Sequence, residues 1–361
     1  MKLITDVSVM SRPMVAGRGL TPASLFNAGG TGAWFDPSDS STLFVDVEGT
    51  QSALEGDAIA RIANKTGSAI PALQPAPLAR PKLGRVPVSG RRNILSDSED
   101  ASSYRWAPEG VIIAQPDETF PKPLSGPQAI WSVTETNADT PHRVRATQLS
   151  VVAGLTYTAS IYAKAGTADR LHVVFFSSGN AWTGGASFDL THGTLLSGGV
   201  NATISDAGNG WYRCAIKTLA GGTNTFGQII WGLSSVGAYP GNTGNTVYLT
   251  GRMLEIAPHM TPYQLVTSAF DVSEAGQAST SYLAADQNDS SVTWTAPDGV
   301  YTVAYAGSGG AVVISDGQTL SGPTEVMQTT PIAEYVAINR ALTQLERNSL
   351  AAYLEHKGAG L

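Results

Sequence analysis

The chain has a single cysteine, Cys214, among its 361 residues. An intramolecular disulfide and a multi-cysteine metal site are therefore both excluded. Cys214 falls in an alternating run, which predicts a small buried apolar side chain. Charge is also scarce: 14% of residues are Asp, Glu, Lys or Arg, against about 25% in an average globular chain. The 22 basic and 29 acidic residues give a formal charge of −7. A nucleic-acid binder shows a basic stripe. The densest group here, Arg85, Arg91 and Arg92, is small and adjoins a Pro-rich stretch, so no nucleic-acid partner is expected. No apolar run approaches the ~18 residues of a membrane-crossing helix, so no membrane insertion is expected. The opening Met1 to Asp6 lacks the apolar core of a signal peptide, which predicts synthesis in the cytoplasm without a secretion signal.

What the chain does have is a 42% apolar fraction and 39 glycines, a profile suited to many short strands joined by tight turns. Residues 1–30 are small and nearly uncharged, and read as an extended anchoring arm. In 31–67, Asp36-Pro37-Ser38-Asp39 is a turn signal, and Asp57 to Ile62 spaces its apolar residues as a short amphipathic segment would. The stretch 68–92 carries Pro71, Pro75, Pro77, Pro81 and Pro87. Proline removes backbone donors and forces extended geometry, so a linker or a surface crossing is expected there. From 93 to 266 the pattern is strand-rich. Leu155 to Ala163 alternates, as does Trp211 to Lys217. Leu171 to Phe176, Gln228 to Leu233 and Thr246 to Leu249 read as further strands. Gly198-Gly199, Gly208-Asn209-Gly210 and Gly221-Gly222 punctuate them. Such spacing predicts an antiparallel sandwich or jelly roll. Strands return at Ser291 to Thr295, Val300 to Tyr305 and Glu334 to Ile338. One helix closes the chain. Thr343-Gln344-Leu345-Glu346 is a capping box, Leu350, Tyr353 and Leu354 share a face, and Lys357-Gly358 ends it.

Catalytic constellations are thin. A glycosidase needs two carboxylates flanking a bond about 5–10 Å apart, and no spacing places two acids on one strand face. Gly307-Ser308-Gly309 lacks the spacing of a nucleophile elbow. The histidines at 142, 172, 192, 259 and 356 are isolated, with no zinc-type pair. The expectation is a protein that is not an enzyme. Asp286, Asn288 and Asp289 supply hard oxygen atoms close together, a weak calcium candidate without the EF-hand pattern; no other cofactor is expected. Sugar binding is better served. An aromatic face stacks on a pyranose ring, and amides bond its hydroxyls. Trp182 and Asn180 lie in a Gly/Ser/Asn-rich loop, and Tyr239 and Asn242 in a second one. These four are the candidate glycan-binding residues. Trp211, Trp231 and Trp294 sit in alternating strands and are expected in cores. Trp34, Trp106 and Trp131 stay open.

Several segments taken together resemble a known family. Asn93 to Asp100, Tyr157 to Gly166, Phe188-Asp189-Leu190 with Gly193-Thr194, Gly208 to Cys214, and Met253-Leu254-Glu255 with Thr261-Pro262-Tyr263 keep the order and spacing of a module. That module is the head-spike or fibre module of tailed bacteriophages and gene transfer agents. The resemblance covers 93–266 and implies a carbohydrate-binding-like jelly roll. The flanks resemble a second family. Trp34 to Asp39, Ser41 to Phe44, Asn64 to Gly67, and Tyr335 to Leu342 with the final helix are similar to concanavalin A-like, laminin-G-like phage modules. Asp286 to Ser290 stands where such modules carry an acidic motif, degraded here.

The organisation expected is mainly β: an arm (1–30), the first part of a laminin-G-like domain with a Pro-rich linker (31–92), the head-spike jelly roll (93–266), and the rest of the laminin-G-like domain with its helix (267–361). The jelly roll would be inserted in or beside a smaller sandwich whose two chain ends pair antiparallel. The function this resemblance implies is a virion surface protein, a head spike or fibre subunit, adhering to host-surface polysaccharide. It would be made in the host cytoplasm, bind other virion proteins, and form a homo-oligomer. The alternatives are a purely structural decoration or tail protein, and a polysaccharide-degrading enzyme.

Overall fold

Residues that alternate in size along a run put one set of side chains on each face of a strand. The computed structural model bears this out for the central runs. It describes residues 21–361 apart from 28, 104, 125, 178–182, 234–236, 287–289, 308–309 and 328–330. Contacts divide the chain into two units. The first takes the chain up to Ser52, then Ile59–Pro81 and Gln287–Gly358. The second takes Ala53–Ala58, Lys82–Asp286 and Ala359–Leu361. The second unit is thus inserted in the sequence of the first, and the stretches 82–92 and 267–286 fall within it.

The second unit is a sandwich of two six-stranded antiparallel sheets. One sheet runs in the order Thr194–Ser197, Gly184–Asp189, Arg170–Phe176, Asn224–Gly232, Arg143–Val151, Ala107–Glu109. The other runs Ala202–Gly208, Trp211–Leu219, Thr156–Ala165, Thr246–Glu255, Trp131–Glu135, Val111–Ala114. Tyr157, Ala159, Ile161 and Ala163 of one strand point into the shared core, with Cys214, Phe175, Phe188 and Trp231. Cys214 is fully buried, and burial pushes its thiol well above the usual range. The opposite face of the Thr156–Ala165 strand is covered too: Tyr162 packs with Trp211, Met253, Tyr263 and Ile130 in a second small core. The strands Ser279–Ala284, Lys82–Pro87, Asp271–Glu274 and Gln264–Ser268 extend this unit.

In the first unit, Gly32–Phe35 pairs antiparallel with Ile332–Ile338 in the register Gly32↔Ile338. The pairing of the two chain ends that the flanking resemblance implies is therefore present. Val292–Gly307 lies beside Ile332–Ile338 and forms a long hairpin with Val312–Met327. Phe35, Trp294, Tyr301 and Tyr335 build an aromatic core, with centroid separations of 5.9–6.4 Å. Each such pair contributes about 0.5–1.5 kcal/mol beyond burial. The closing helix, Gln344–Lys357, has the reciprocal Thr343–Glu346 capping box and buries Leu350 and Leu354.

Two sequence expectations need correction. The stretch 1–30, expected as an extended arm, holds a helix at Pro22–Asn27 with Pro22 and Leu25 buried. Asp57 to Ile62 ends in the short strand Arg61–Ile62, paired to Leu43–Phe44 and Ala72–Leu73, with Ile59, Ala60 and Ile62 buried. The 68–92 stretch is not a linker. It holds the strands Ala72–Leu73 and Lys82–Pro87, with Ala72, Leu83 and Val86 buried. Pro71 and Pro81 stand just before these strands and Pro87 ends the second, positions where a missing donor is tolerated.

Candidate functional site

Trp182 and Asn180, with Asn288 and Asp289 of the calcium candidate, lie outside the described residues. Asp286 is exposed. Among the described residues no group of three or more His, Cys, Asp or Glu could hold a metal ion. Tyr239 and Asn242 do come together. The short strand Tyr239–Pro240 pairs with Asp139–Thr140. The Tyr239 hydroxyl donates to Glu135 Oε1 at 2.5 Å, and the Asn242 N–H donates to Glu135 Oε2 at 2.9 Å. Asn245 Nδ2 donates to the same oxygen at 3.0 Å. Glu135 is fully enclosed, and the His142 ring lies 4.6 Å from that of Tyr239. Tyr239 is half-buried, and its phenol ties a loop to the sandwich. The strands carrying the two candidate loops end at opposite ends of their ladder: Phe176 pairs with Gln228, whereas His172 and Arg143 pair with Gly232, after which the chain runs on to Tyr239.

A different place in the second unit has the geometry of a site. The Arg143–Val151 strand keeps register with its neighbour to Ala146↔Ile229, then shifts so that Leu149 faces Gly227. Gln148 takes a φ of 58° within this bulge. A second irregularity lies in Thr246–Glu255, where the partners step from Ser160↔Met253 to Tyr162↔Thr250. Gly251 has a φ of 60° there, and a Cβ on it would meet Pro127 Cγ at 1.9 Å. Bulges re-aim side chains. Here the Arg252 guanidinium lies over the Trp106 ring at 4.5 Å, and Trp106 stacks on Trp231 at 6.3 Å.

Between these bulges is a cavity of about 630 Å³ whose lining includes Ser96, Arg105, Thr147, Gln148, Ser150 and Arg252. Arg252 is only 1% exposed. Its Nη1 donates to the Arg105 carbonyl at 2.6 Å and its Nη2 to the Ser96 carbonyl at 3.1 Å, while Nε has no acceptor among the described residues. Burial pulls its pKa down to about 9, opposed by the charge of Asp97 and reinforced by that of Arg105. Asp97 has a φ of 53°, holds Trp106 Nε1 through its carbonyl at 2.9 Å, and ion-pairs with Arg105 at 3.4 Å. Two left-handed non-glycine residues thus flank the cavity, the kind of strain that collects at functional sites. Phe226 and Phe176, from the neighbouring strands, are 65% and 49% exposed. They come from the same end of the ladder as Gln148, since Phe176 pairs with Gln228 and Leu149 with Gly227. Arg105, Gln148, Phe226 and Arg252 were not singled out in the sequence. The available signal was an arginine after a glycine inside a mostly apolar strand, Gly251-Arg252.

The first unit brings two carboxylates, Asp36 and Glu334, to one lysine, Lys357, a meeting in space that spacing along the chain leaves open. Asp36 accepts from Lys65 Nζ and Lys357 Nζ, each at 2.9 Å. Glu334 accepts from Trp34 Nε1 at 2.5 Å and from the Tyr353 hydroxyl at 2.8 Å, with Lys357 at 3.3 Å. Lys65 also pairs with Asp39 at 2.8 Å and lies over the Trp34 ring at 4.5 Å. Burial pushes the Asp36 carboxyl up, but Lys65, Ser38 and Lys357 outweigh it and hold it at about 2. Burial and the Asp36 charge raise Glu334 to about 7, against Lys357, Trp34 and Tyr353. Split values on paired acids are the electrostatic mark of acid–base sites. Here, however, Asp36 is 3% exposed and Glu334 0%, so the pair ties the first strand, the last strand and the helix end together.

No family model matches the chain, and no curated protein does. Solved structures give weak likenesses. The enzymatically active domain of tailspike protein 4 from bacteriophage CBA120 is 12% identical, with a TM-score of 0.30 over 46% of this chain and 21% of that one. A CBM4 carbohydrate-binding module is 16% identical, with a TM-score of 0.26 over 47% of this chain and 97% of that one. The glycoside hydrolase domain of Endo-D from Streptococcus pneumoniae is 13% identical, with a TM-score of 0.24 over 64% and 31%. The matched part of this chain spans about a fifth of the tailspike domain. At these identities and TM-scores no function passes from them to this chain.

Proposed function

We propose that this chain is a virion surface protein, a head spike or fibre subunit, that adheres to host-surface polysaccharide through its inserted sandwich unit. The observation that carries the adhesive part is the cavity beside Arg252, with Ser96, Thr147, Gln148 and Ser150 in its lining. Hydroxyl and amide groups that can donate and accept suit a polyhydroxylated ligand. Phe226 and Phe176 offer exposed rings at the same end of the ladder for stacking. The volume lies within the range of about 300–1,000 Å³ typical of small-ligand sites. The virion placement rests on the order of the head-spike-like segments in 93–266. Low charge fits a subunit packed against its own copies, and many copies would turn weak single-site affinity into firm attachment. The reading is non-catalytic: the one carboxylate pair described above is closed by lysines rather than open to a substrate.

Equilibrium titration of the full chain with polysaccharide from the host surface tests this. Gln148→Ala and Phe226→Ala should each weaken binding by about three- to tenfold, the worth of one stacked ring or hydrogen bond. A Trp182→Ala variant run alongside tests the loop singled out from the sequence. Undiminished binding in all three variants, or no binding by the native chain, would remove the proposed site.

A further inference from the structure

We infer that the Arg252 cavity selects a carboxylate-bearing sugar, of uronic- or sialic-acid type, over a neutral one. This rests on the glycan-binding reading of the same cavity and deepens it. The argument starts from the cation. Arg252 is buried, and among the described ion pairs none joins it to a carboxylate. Two of its nitrogens reach only neutral carbonyl oxygens, and Nε reaches no acceptor. Taking a guanidinium out of water without a matching anion is costly, and proteins otherwise pair such groups. Three charged groups bear on it: Asp97 and Asp100 favourably, Arg105 unfavourably. Asp97 is itself engaged by Arg105 at 3.4 Å and by the Ser103 hydroxyl at 3.0 Å, and Asp100 accepts from Ser102. The cavity wall therefore holds a cation whose nearest acids already serve other donors.

The rest of the wall fits the same ligand class. Arg105 brings a second guanidinium, about half exposed, to the same cavity. Arginine presents its donors in a planar fork that matches a carboxylate. Ser96, Thr147, Gln148 and Ser150 add neutral donors and acceptors for ring hydroxyls. Trp106 fixes the Arg252 guanidinium from one face, so the charge is held in place before a ligand arrives. A neutral sugar would use the hydroxyl wall and leave the cation unanswered. An acidic sugar would use both.

The test titrates the full chain with a uronic-acid polysaccharide and with its carboxyl-reduced, neutral form. It adds sodium acetate and sodium sulfate as competitors at matched ionic strength. The acidic form should bind about ten- to a hundredfold tighter, the worth of one charged hydrogen bond. Arg105→Gln should weaken binding of the acidic form by more than that of the neutral form, and so erase most of that preference. Arg252→Met removes the buried cation. If it fails to fold by circular dichroism, Arg105→Gln and the competition arm decide. Equal binding of the two polysaccharides, weakened in both by Gln148→Ala, would overturn the acidic inference and keep the glycan reading. Displacement by acetate or sulfate as readily as by the acidic polysaccharide would show an adventitious anion site only, and would also overturn it. No binding of either polysaccharide would sink both readings together.

Discussion

The two units each bury charge beside a tryptophan, and they do so in opposite ways. In the first, Asp36, Glu334, Lys65 and Lys357 answer one another at 2.9–3.3 Å. In the second, Arg252 over Trp106 has carbonyl partners and, among the described residues, no ion pair, and it lines a cavity. A network closed on itself stabilises a fold. A buried cation left open beside polar walls is a cost that a ligand can relieve. On the proposed reading, the contrast separates a structural tie from a binding site without appeal to any relative.

The sharpest way to break the comparison is to remove the ring that holds the open cation. Trp106→Ala takes out a fully buried indole between Arg252 and Trp231 and should cost about 3–5 kcal/mol in denaturant unfolding. A loss under about 1 kcal/mol would mean that the column is not what orders this part of the sandwich.

The closed network should instead reveal itself through pH. Glu334 is raised from 4.5 to about 7 in the folded chain. Between those values the folded state keeps a proton that the unfolded state has lost. Stability therefore falls as pH rises from about 4.5 to about 7, by up to about 3 kcal/mol, and levels off above. Asp36 works the other way. Its folded value of about 2 lies below the ordinary 3.8, so its contribution is present above pH 3.8 and lost as pH drops through about 2. The first unit should thus be most stable near pH 4. Glu334→Gln should flatten the upper limb in urea midpoints read from pH 4 to 8. An unchanged slope would show that Glu334 is not the group responsible.

These contrasts also mark what the sequence could and could not disclose. Alternation disclosed the strands around Tyr157, Leu171 and Trp211, because side chains of different size on a strand's two faces write its period directly into the sequence. The capping box at Thr343 was legible because its chemistry is local. Trp34, Asp36 and Lys65 drew notice as part of a pattern. That Glu334 and Lys357 meet them depends on pairing across some 300 residues of chain, which no local spacing records. The Val312–Met327 strand, with Gly317, Gly322, Pro323 and few large apolar residues, carries weak strand signals and is held by its hairpin partner. Arg252 was hidden for another reason. Its direction is set by a bulge, and a bulge breaks the period from which direction is read. Tyr239 shows the reverse error of context: a Gly- and Asn-rich loop looked open, yet its hydroxyl reaches the enclosed Glu135.

The smallest effect is the most discriminating. Gln148 sits at a φ of 58°, where a side chain is strained and glycine is not. If that conformation serves only the fold, Gln148→Gly should stabilise the second unit by up to about 1 kcal/mol and change nothing else. If it holds an amide in place for a ligand, the same substitution should stabilise the unit and weaken glycan binding together, the exchange expected where strain is kept for function. Chemical denaturation and titration on one preparation read both quantities. A gain in stability with binding intact would return the strained bulge to the category of structure and leave the cavity's role to Arg252, Arg105 and the remaining wall.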